Sequence, residues 1–274
     1  MRSNLSNIFR IQAFLESINY PGEYRIAREV VDFLSSQKNV SEKEILGRLK
    51  EQEPWEYIKG CANFCGNDFK VNQHTLIPRI ETEQLVHECK SYIENSNIRN
   101  IIDVGTGSGC IIISLKYLLS NHQDLNFYAS DISNQALEVA KENEKKIIKK
   151  DEINWIDTNL IKDILKLEGD TILIANLPYI PTTIYESLDK SVLDYEPRMA
   201  LDGGVDGLDK YRELFRQILE REINITTLYL ETETQIFKET RKLIKEYFPK
   251  SGISGIKDCF GRDRFFLVTQ PLPR

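Results

Sequence analysis

The chain has no apolar stretch near the roughly 20 residues that a membrane-spanning helix needs. Its densest run, Ile111 to Leu119, is interrupted by Ser114 and Lys116, so no membrane partner is expected. Cysteine is sparse and odd in number: Cys61, Cys65, Cys89, Cys110 and Cys259 are scattered along 274 residues. That pattern argues against a disulfide framework and points to reduced thiols in a cytoplasmic compartment. Cys61 and Cys65 stand four apart, but no second pair or His cluster completes a zinc site, so no metal is expected. Positive charge is not in excess either. The net charge of −6 disfavours non-specific binding to nucleic acid, which is not expected as a partner. Lys145, Lys146, Lys149 and Lys150 do cluster, but at the end of a predicted helix, where cations complement the helix dipole.

An apolar fraction of 41% supports a core, and 274 residues suffice for two domains or one large one. The first fifteen residues carry Arg2 and Arg10 and no acid, weakly like a transit peptide, yet they run into an amphipathic helix and read as folded. Residues 1–53 form a helical N-terminal domain in this reading. Ile8, Ile11, Phe14, Leu15 and Ile18 fall at helical spacing, Tyr20-Pro21-Gly22 interrupts, and Tyr24 to Leu34 resumes. Ser41-Glu42-Lys43-Glu44 has the form of a capping box opening a third helix. Residues 54–78 hold short β-like pieces, Glu56-Tyr57-Ile58, Asn63-Phe64-Cys65 and Phe69-Lys70-Val71, separated by Gly60 and Gly66; they predict a linking hairpin.

Residues 79–274 form the large domain. After a helix through Tyr92, strands and helices alternate from about residue 98. Strands are predicted at 100–104, 125–129, 153–156, 171–175 and 227–230, and helices at 110–119, 134–149, near 208–222 and near 234–247. Alternation at this spacing defines an α/β protein with a doubly wound parallel sheet. Two further strands, near 255–259 and 265–269, are separated only by Phe260 to Arg264 and predict an antiparallel hairpin at the sheet edge.

Three strand ends in this domain describe a nucleoside pocket. The first runs into Gly105-Thr106-Gly107-Ser108-Gly109, a turn that lets the backbone approach a ligand closely. Its spacing is neither Gly-x-Gly-x-x-Gly nor a P-loop, since no Lys-Ser/Thr follows. The second ends at Asp131, an acid placed to accept hydrogen bonds from both ribose hydroxyls. The competing role for Asp131 is to cap the next helix, a role Ser133 fills equally well. The third ends near Asn159-Leu160, a polar group for an adenine amine and an apolar one to cover the ring. The fourth is the most specific. Thr171 to Ala175 is a buried strand, and Asn176-Leu177-Pro178-Tyr179 follows it with an amide, a rigid turn and an aromatic ring. That set suits gripping a planar, weakly nucleophilic nitrogen. The plainer alternatives are Asn176 as a turn former, Pro178 as a helix stop and Tyr179 as core.

These residues resemble class I methyltransferases that use S-adenosylmethionine, and further stretches narrow the resemblance. Leu76-Ile77-Pro78-Arg79-Ile80-Glu81-Thr82-Glu83 is similar to a Pro-Arg-Pro-Glu-Thr-Glu segment. Glu196-Pro197, Ala200-Leu201, Gly203-Gly204, Asp206-Gly207-Leu208 and Gly261-Arg262-Asp263-Arg264 match the signatures of the peptide chain release factor glutamine methyltransferases. The resemblance runs in motifs from about residue 54 to the end. It implies a seven-stranded methyltransferase sheet, an N-terminal domain of about five helices serving substrate recognition, and a linking β-hairpin. It also implies S-adenosylmethionine as cofactor, S-adenosylhomocysteine as product, and methyl transfer to the Gln of the Gly-Gly-Gln motif of class I release factors. Asn176, Pro178 and Tyr179 would be the catalytic residues, with Leu177 completing the substrate turn. Gly105 to Gly109, Asp131, Asn159, Leu160 and Asn176 would hold the cofactor. By the same resemblance Glu81, Thr82 and Glu83 lie near the cofactor's methionine end; capping of the following helix is the other reading. Leu177 stands where the family usually has Pro, and Ile80 where it has a second Pro. Asn-Leu-Pro-Tyr is also the form in adenine dimethyltransferases of ribosomal RNA, so an adenine amine on RNA or DNA is the alternative substrate.

Overall fold

The computed structural model describes residues 2–37, 40–221 and 223–269, with side chains from residue 5 onward. The N-terminal part opens with α1 (Arg2–Ser17) and α2 (Glu23–Ser36), separated by a turn in which Gly22 takes the left-handed conformation at φ 71°. α3 (Glu42–Lys50) begins at Ser41, whose hydroxyl accepts from the Glu44 N–H at 3.4 Å, as the capping-box spacing predicts. A fourth helix, α4 (Trp55–Lys59), occupies the stretch where Glu56-Tyr57-Ile58 suggested a β-like piece. Pro54 starts this turn and left-handed Gly60 ends it. Trp55 and Ile58, one helical turn apart, both bury against Ile11, Leu15, Ile26 and Val30. The Trp55 indole donates to Glu29 at 2.8 Å and meets Phe33 edge-on. Before the hairpin the described residues thus hold four helices, where the resemblance implies five and periodicity gave three.

The hairpin is present, with slightly different bounds. β1 (Cys61–Phe64) and β2 (Asn67–Lys70) pair antiparallel about a two-residue turn, Cys65-Gly66, with both φ values positive. Buried Asn143 fastens it to the large domain, accepting from the Lys70 N–H at 2.6 Å and donating to the carbonyls of Lys70 and Ser108.

The large domain follows as α5 (Ile80–Glu94), β3 (Ile98–Val104), α6 (Cys110–Leu118), β4 (Asn126–Asp131), α7 (Asn134–Ile147), β5 (Ile153–Asp157) and β6 (Asp170–Ala175). Two short helices come next, α8 (Thr182–Tyr185) and α9 (Lys190–Leu193), and then α10 (Asp209–Glu220), β7 (Ile225–Glu231), α11 (Phe237–Tyr247), β8 (Gly252–Lys257) and β9 (Asp263–Thr269). Glu222, the expected end of the helix near 208–222, lies outside the described residues. The seven-stranded sheet has the order β5-β4-β3-β6-β7-β9-β8. β3 to β7 run parallel, and β9 is antiparallel to both β7 and β8, so the closing pair is the predicted edge hairpin.

Strand side chains alternate between two cores. Ile102, Val104, Leu173, Leu228 and Leu230 face one way, onto Tyr211, Leu214 and Phe215 of α10. Ile101, Ile172, Ile174 and Tyr229 face the other, onto Leu85, Val86 and Cys89 of α5 and Ile112 and Leu115 of α6. Covering both faces is what a parallel sheet requires, because its strands are apolar on both sides. Strand order reverses between β3 and β6, and in open α/β sheets such a switch point opens a crevice at the strands' carboxyl ends. No helix among the described residues is long and apolar enough to cross a membrane.

Candidate active site

Register brings the site together. Val104 and Leu230 both pair with Ala175, so β3 and β6 end level and β7 runs one residue further. One residue further, Gly105, Asn176 and Glu231 become neighbours at the switch point. A cavity of about 280 Å³ opens there, close to the lower end of ligand-sized pockets. It is lined by Gly105, Thr106, Gly107 and Ser108, by Asp131, Asn159 and Leu160, and by Asn176, Leu177 and Pro178. Two expected site residues do not line it. Gly109, at φ 78°, packs under the turn against Ile113, Ala140 and Trp155 and lets α6 sit close to the sheet. Tyr179 is spent elsewhere: its hydroxyl donates to Glu231 at 3.4 Å.

Asp131 is engaged more fully than the sequence indicated. One of its carboxylate oxygens accepts from the Gly107 N–H and the other from the Ser133 N–H, both at 2.9 Å. Ser133 caps α7 through the Ala136 N–H, leaving Asp131 to brace the glycine turn. Burial raises the pKa of Asp131 and these backbone bonds oppose the rise. A carboxylate has about four acceptor sites, so capacity remains for a diol. The Asn159 amide nitrogen donates to Glu213 at 2.5 Å, which leaves its oxygen to accept an exocyclic amine. Ser108 Oγ and Asp103 Oδ1 are buried without a hydrogen-bond partner among the described residues. Asp103 accepts from Thr106 at 2.6 Å through its other oxygen. Burial, with the Asp131 charge nearby, pushes the Asp103 carboxyl up to about 7. A diol acceptor, an amine acceptor, an apolar cover and unspent polar atoms fit a nucleoside carrying a polar tail.

The Asn-Leu-Pro-Tyr turn is held from three sides. Asn176 Nδ2 donates to Thr82 Oγ1 at 3.3 Å, and Thr82 in turn donates to Glu231 at 2.8 Å. Leu177 is buried, and its methyl would lie 2.9 Å from a Cβ placed on Gly105. Leu177 also has a backbone N–H that the more usual Pro lacks; burial raises the Tyr211 phenol, and a backbone hydrogen bond from Leu177 opposes it. The third side is the segment from 196 to 208. A Cβ on Gly203 would stand 2.6 Å from the Pro178 carbonyl oxygen, and one on Gly207 2.3 Å from the Tyr179 oxygen. Those glycines exist so that the segment can press against the turn. The segment is less open than the long loop read from sequence, since Arg198–Ala200 form a 3-10 turn and Ile180 bridges Asp202.

Reasoning from sequence missed Arg79, Glu196 and Glu231 as site residues and left Thr82 undecided. Glu196 forms a 2.6 Å ion pair with Arg79 and accepts from the Ile77 N–H, tying the segment that leads into α5 to the loop over the turn. Burial lowers the Arg79 pKa, but the Glu196 carboxylate outweighs that and keeps the guanidinium charged. Thr82 is no cap: α5 has no side-chain cap bond, and the hydroxyl serves Glu231. Glu81 pairs with Arg262 at 2.7 Å, which gives the closing Gly-Arg-Asp-Arg motif a structural task. Glu231 ends an apolar strand, Leu228 to Leu230, and an acid at such a buried end was the available signal.

The fold, with a crevice at the switch point of its seven-stranded sheet, is that of a methyltransferase, and the comparisons with known proteins identify it as one. A family model described as Ribosomal protein L11 methyltransferase (PrmA) matches residues 82–192, the core from α5 through α9. The hMettl16 catalytic domain in complex with a MAT2A 3'UTR hairpin has a TM-score of 0.57 at 16% identity, over 76% of this chain and 77% of that one. At that identity the likeness shows the fold alone. "Release factor glutamine methyltransferase" of Flavobacterium psychrophilum is 38% identical over 232 residues, covering 82% of this chain and 78% of that protein. The protein of the same name from Bacteroides thetaiotaomicron is 36% identical, covering 86% and 83%. The chain belongs to the release factor glutamine methyltransferase family.

Proposed function

We propose that the protein transfers a methyl group from S-adenosylmethionine to the side-chain amide nitrogen of the Gln in the Gly-Gly-Gln motif of class I release factors. The observation that carries this is the Asn176 carboxamide, fixed in the lining of the cavity with its nitrogen committed to Thr82 and its oxygen left to accept. An amide nitrogen is a poor nucleophile because its lone pair is delocalised. S-adenosylmethionine, when bound, supplies a methyl already activated on a positive sulfur. The protein's work is therefore orientation, which can contribute about 7–11 kcal/mol.

Asn176 Oδ1 accepts one hydrogen of the glutamine amide. The Pro178 carbonyl is packed against Gly203, so the Leu177 carbonyl is the better second acceptor. Two acceptors draw charge onto the nitrogen and aim its lone pair. They also discriminate against Glu, since a carboxylate would leave each unpaired at about 1–3 kcal/mol. Pro178 holds the turn through its fixed φ. Tyr179 braces the turn from behind through Glu231. Gly105 to Ser108, Asp131, Asn159 and Leu160 hold the nucleoside, and the N-terminal helices offer a surface for docking the release factor. Labelled S-adenosylmethionine, presented with release factor or with RNA, tests the reading. Label should enter the release factor; label in RNA with none in protein would overturn it.

A further inference from the structure

The mechanism needs the oxygen edge of Asn176 to face the substrate, and nothing in a carboxamide's shape selects that edge over the nitrogen edge. The selection has to come from the partner on the other side. That partner is Thr82 Oγ1, a buried hydroxyl with a single proton. Thr82 gives this proton to Glu231 Oε2 at 2.8 Å, and what remains for Asn176 is a lone pair. A lone pair accepts only from the nitrogen edge, so the oxygen turns outward. We infer, resting on the reading just given, that Glu231 is a positioning residue that acts through Thr82 to set which edge of Asn176 meets the substrate amide.

Glu231 is a buried carboxylate with a separate partner on each oxygen. It does not line the cavity, and its side chain is buried at the end of β7. Its Oε1 accepts from Tyr179, and its backbone carbonyl accepts from Tyr211. The charged groups facing it are Glu81 from α5, which disfavours its charge, and Arg264 from β9, which favours it. Arg264 is shared with Glu233 at 3.1 Å and Asp258 at 3.7 Å. Burial is the largest influence and lifts the carboxyl to about 7, against hydrogen bonds from Thr82 and Tyr179. When Glu231 is protonated it donates to Thr82. Thr82 then gives its own proton to Asn176, which turns its oxygen inward and its nitrogen toward the substrate. Two sets of N–H groups would face each other, and the amide would not be gripped. Turnover should therefore rise as pH increases through about 7.

The test uses Glu231→Leu, Thr82→Val, their double variant and Thr82→Ser in the full chain. Each of the first two should lower kcat roughly 10- to 100-fold, with KM for the release factor within about threefold, because the substrate's fit in the turn is lost in the reacting geometry. The double variant should be no worse than either single one, because both break the same relay. Thr82→Ser should restore most of what Thr82→Val loses, and the acid limb of kcat should vanish in Glu231→Leu. A separate readout needs no turnover: the Asn176 side-chain amide resonances should shift with pH near 7 in the wild type and stay flat in Glu231→Leu. Additive losses with an unchanged pH profile, or amide resonances indifferent to pH and to Glu231, would overturn the inference. Wild-type protein that methylates no release factor would sink the proposed substrate instead, and the amide titration would still decide the relay.

Discussion

At residue 176 the chain commits a carboxamide to two jobs. Its nitrogen ties the end of β6 to α5 through Thr82, and its oxygen is the group proposed to meet the substrate amide. Asn176→Ala removes the outward acceptor but leaves Gly105 to Ser108 and Asp131 in place. Turnover should fall by roughly 100-fold or more, the scale of a misplaced reacting group, while calorimetric cofactor affinity changes only a few-fold. Equal losses in both would place Asn176 in cofactor binding alone. Asp131 carries the complementary lesson. The sequence showed an acid at a strand end, and geometry adds that two backbone N–H groups bind it, so the residue shapes the turn that it also serves.

At the scale of elements, the 196–208 segment and the closing hairpin explain why their motifs exist. Gly207 sits at φ 77°, where a side chain is strained, and a Cβ would collide with the Tyr179 carbonyl. Gly207→Ala should cost about 1–3 kcal/mol of stability and depress turnover, read by thermal unfolding beside kinetics. An unchanged melting temperature and rate would mean the segment does not buttress the turn. The sheet was largely legible in the sequence, because period-2 and apolar runs bounded by Gly and Pro declare strands wherever burial is complete. Some strand ends, such as those at Val104 and Ala175, were placed without error and others up to three residues off, as with Glu231, because a polar residue can close a strand as easily as leave it. α4 was misread because five residues between Pro54 and Gly60 are too few to show a helical period. The cavity's glycine turn, Asp131 and Asn176 were legible from their order along alternating strands. The Thr82–Glu231 and Arg79–Glu196 pairs were not, since partners 149 and 117 positions apart meet only through the sheet's crossovers.

At the scale of the whole molecule, buried carboxyls with raised pKa values, Asp103, Asp131 and Glu231, set the pH dependence of the fold. Asp103 and Glu231 are both pushed up to about 7, mainly by burial. Each binds its proton in the folded state over a range where the unfolded chain has lost it. The stability they contribute is full below the usual carboxylate range and is lost as pH rises to about 7. Glu29 and Asp258 act the other way. Although burial raises both, hydrogen bonds from Trp55 and Lys59 lower Glu29 and those from Arg262 lower Asp258, so their contribution fails only in acid. The unliganded protein should be most stable near pH 5, with its melting temperature falling by roughly 3–10 °C toward pH 8. A melting temperature that rises over that range would contradict the assignment. The fold is thus favoured by the protonated form of Glu231, and the reaction by its ionised form. The most direct test of the central claim is tandem mass spectrometry of a class I release factor incubated with the protein and S-adenosylmethionine. The account predicts one added methyl, on the side-chain amide of the Gly-Gly-Gln glutamine. A methyl elsewhere on the release factor, or none under conditions where the protein methylates RNA, would contradict it.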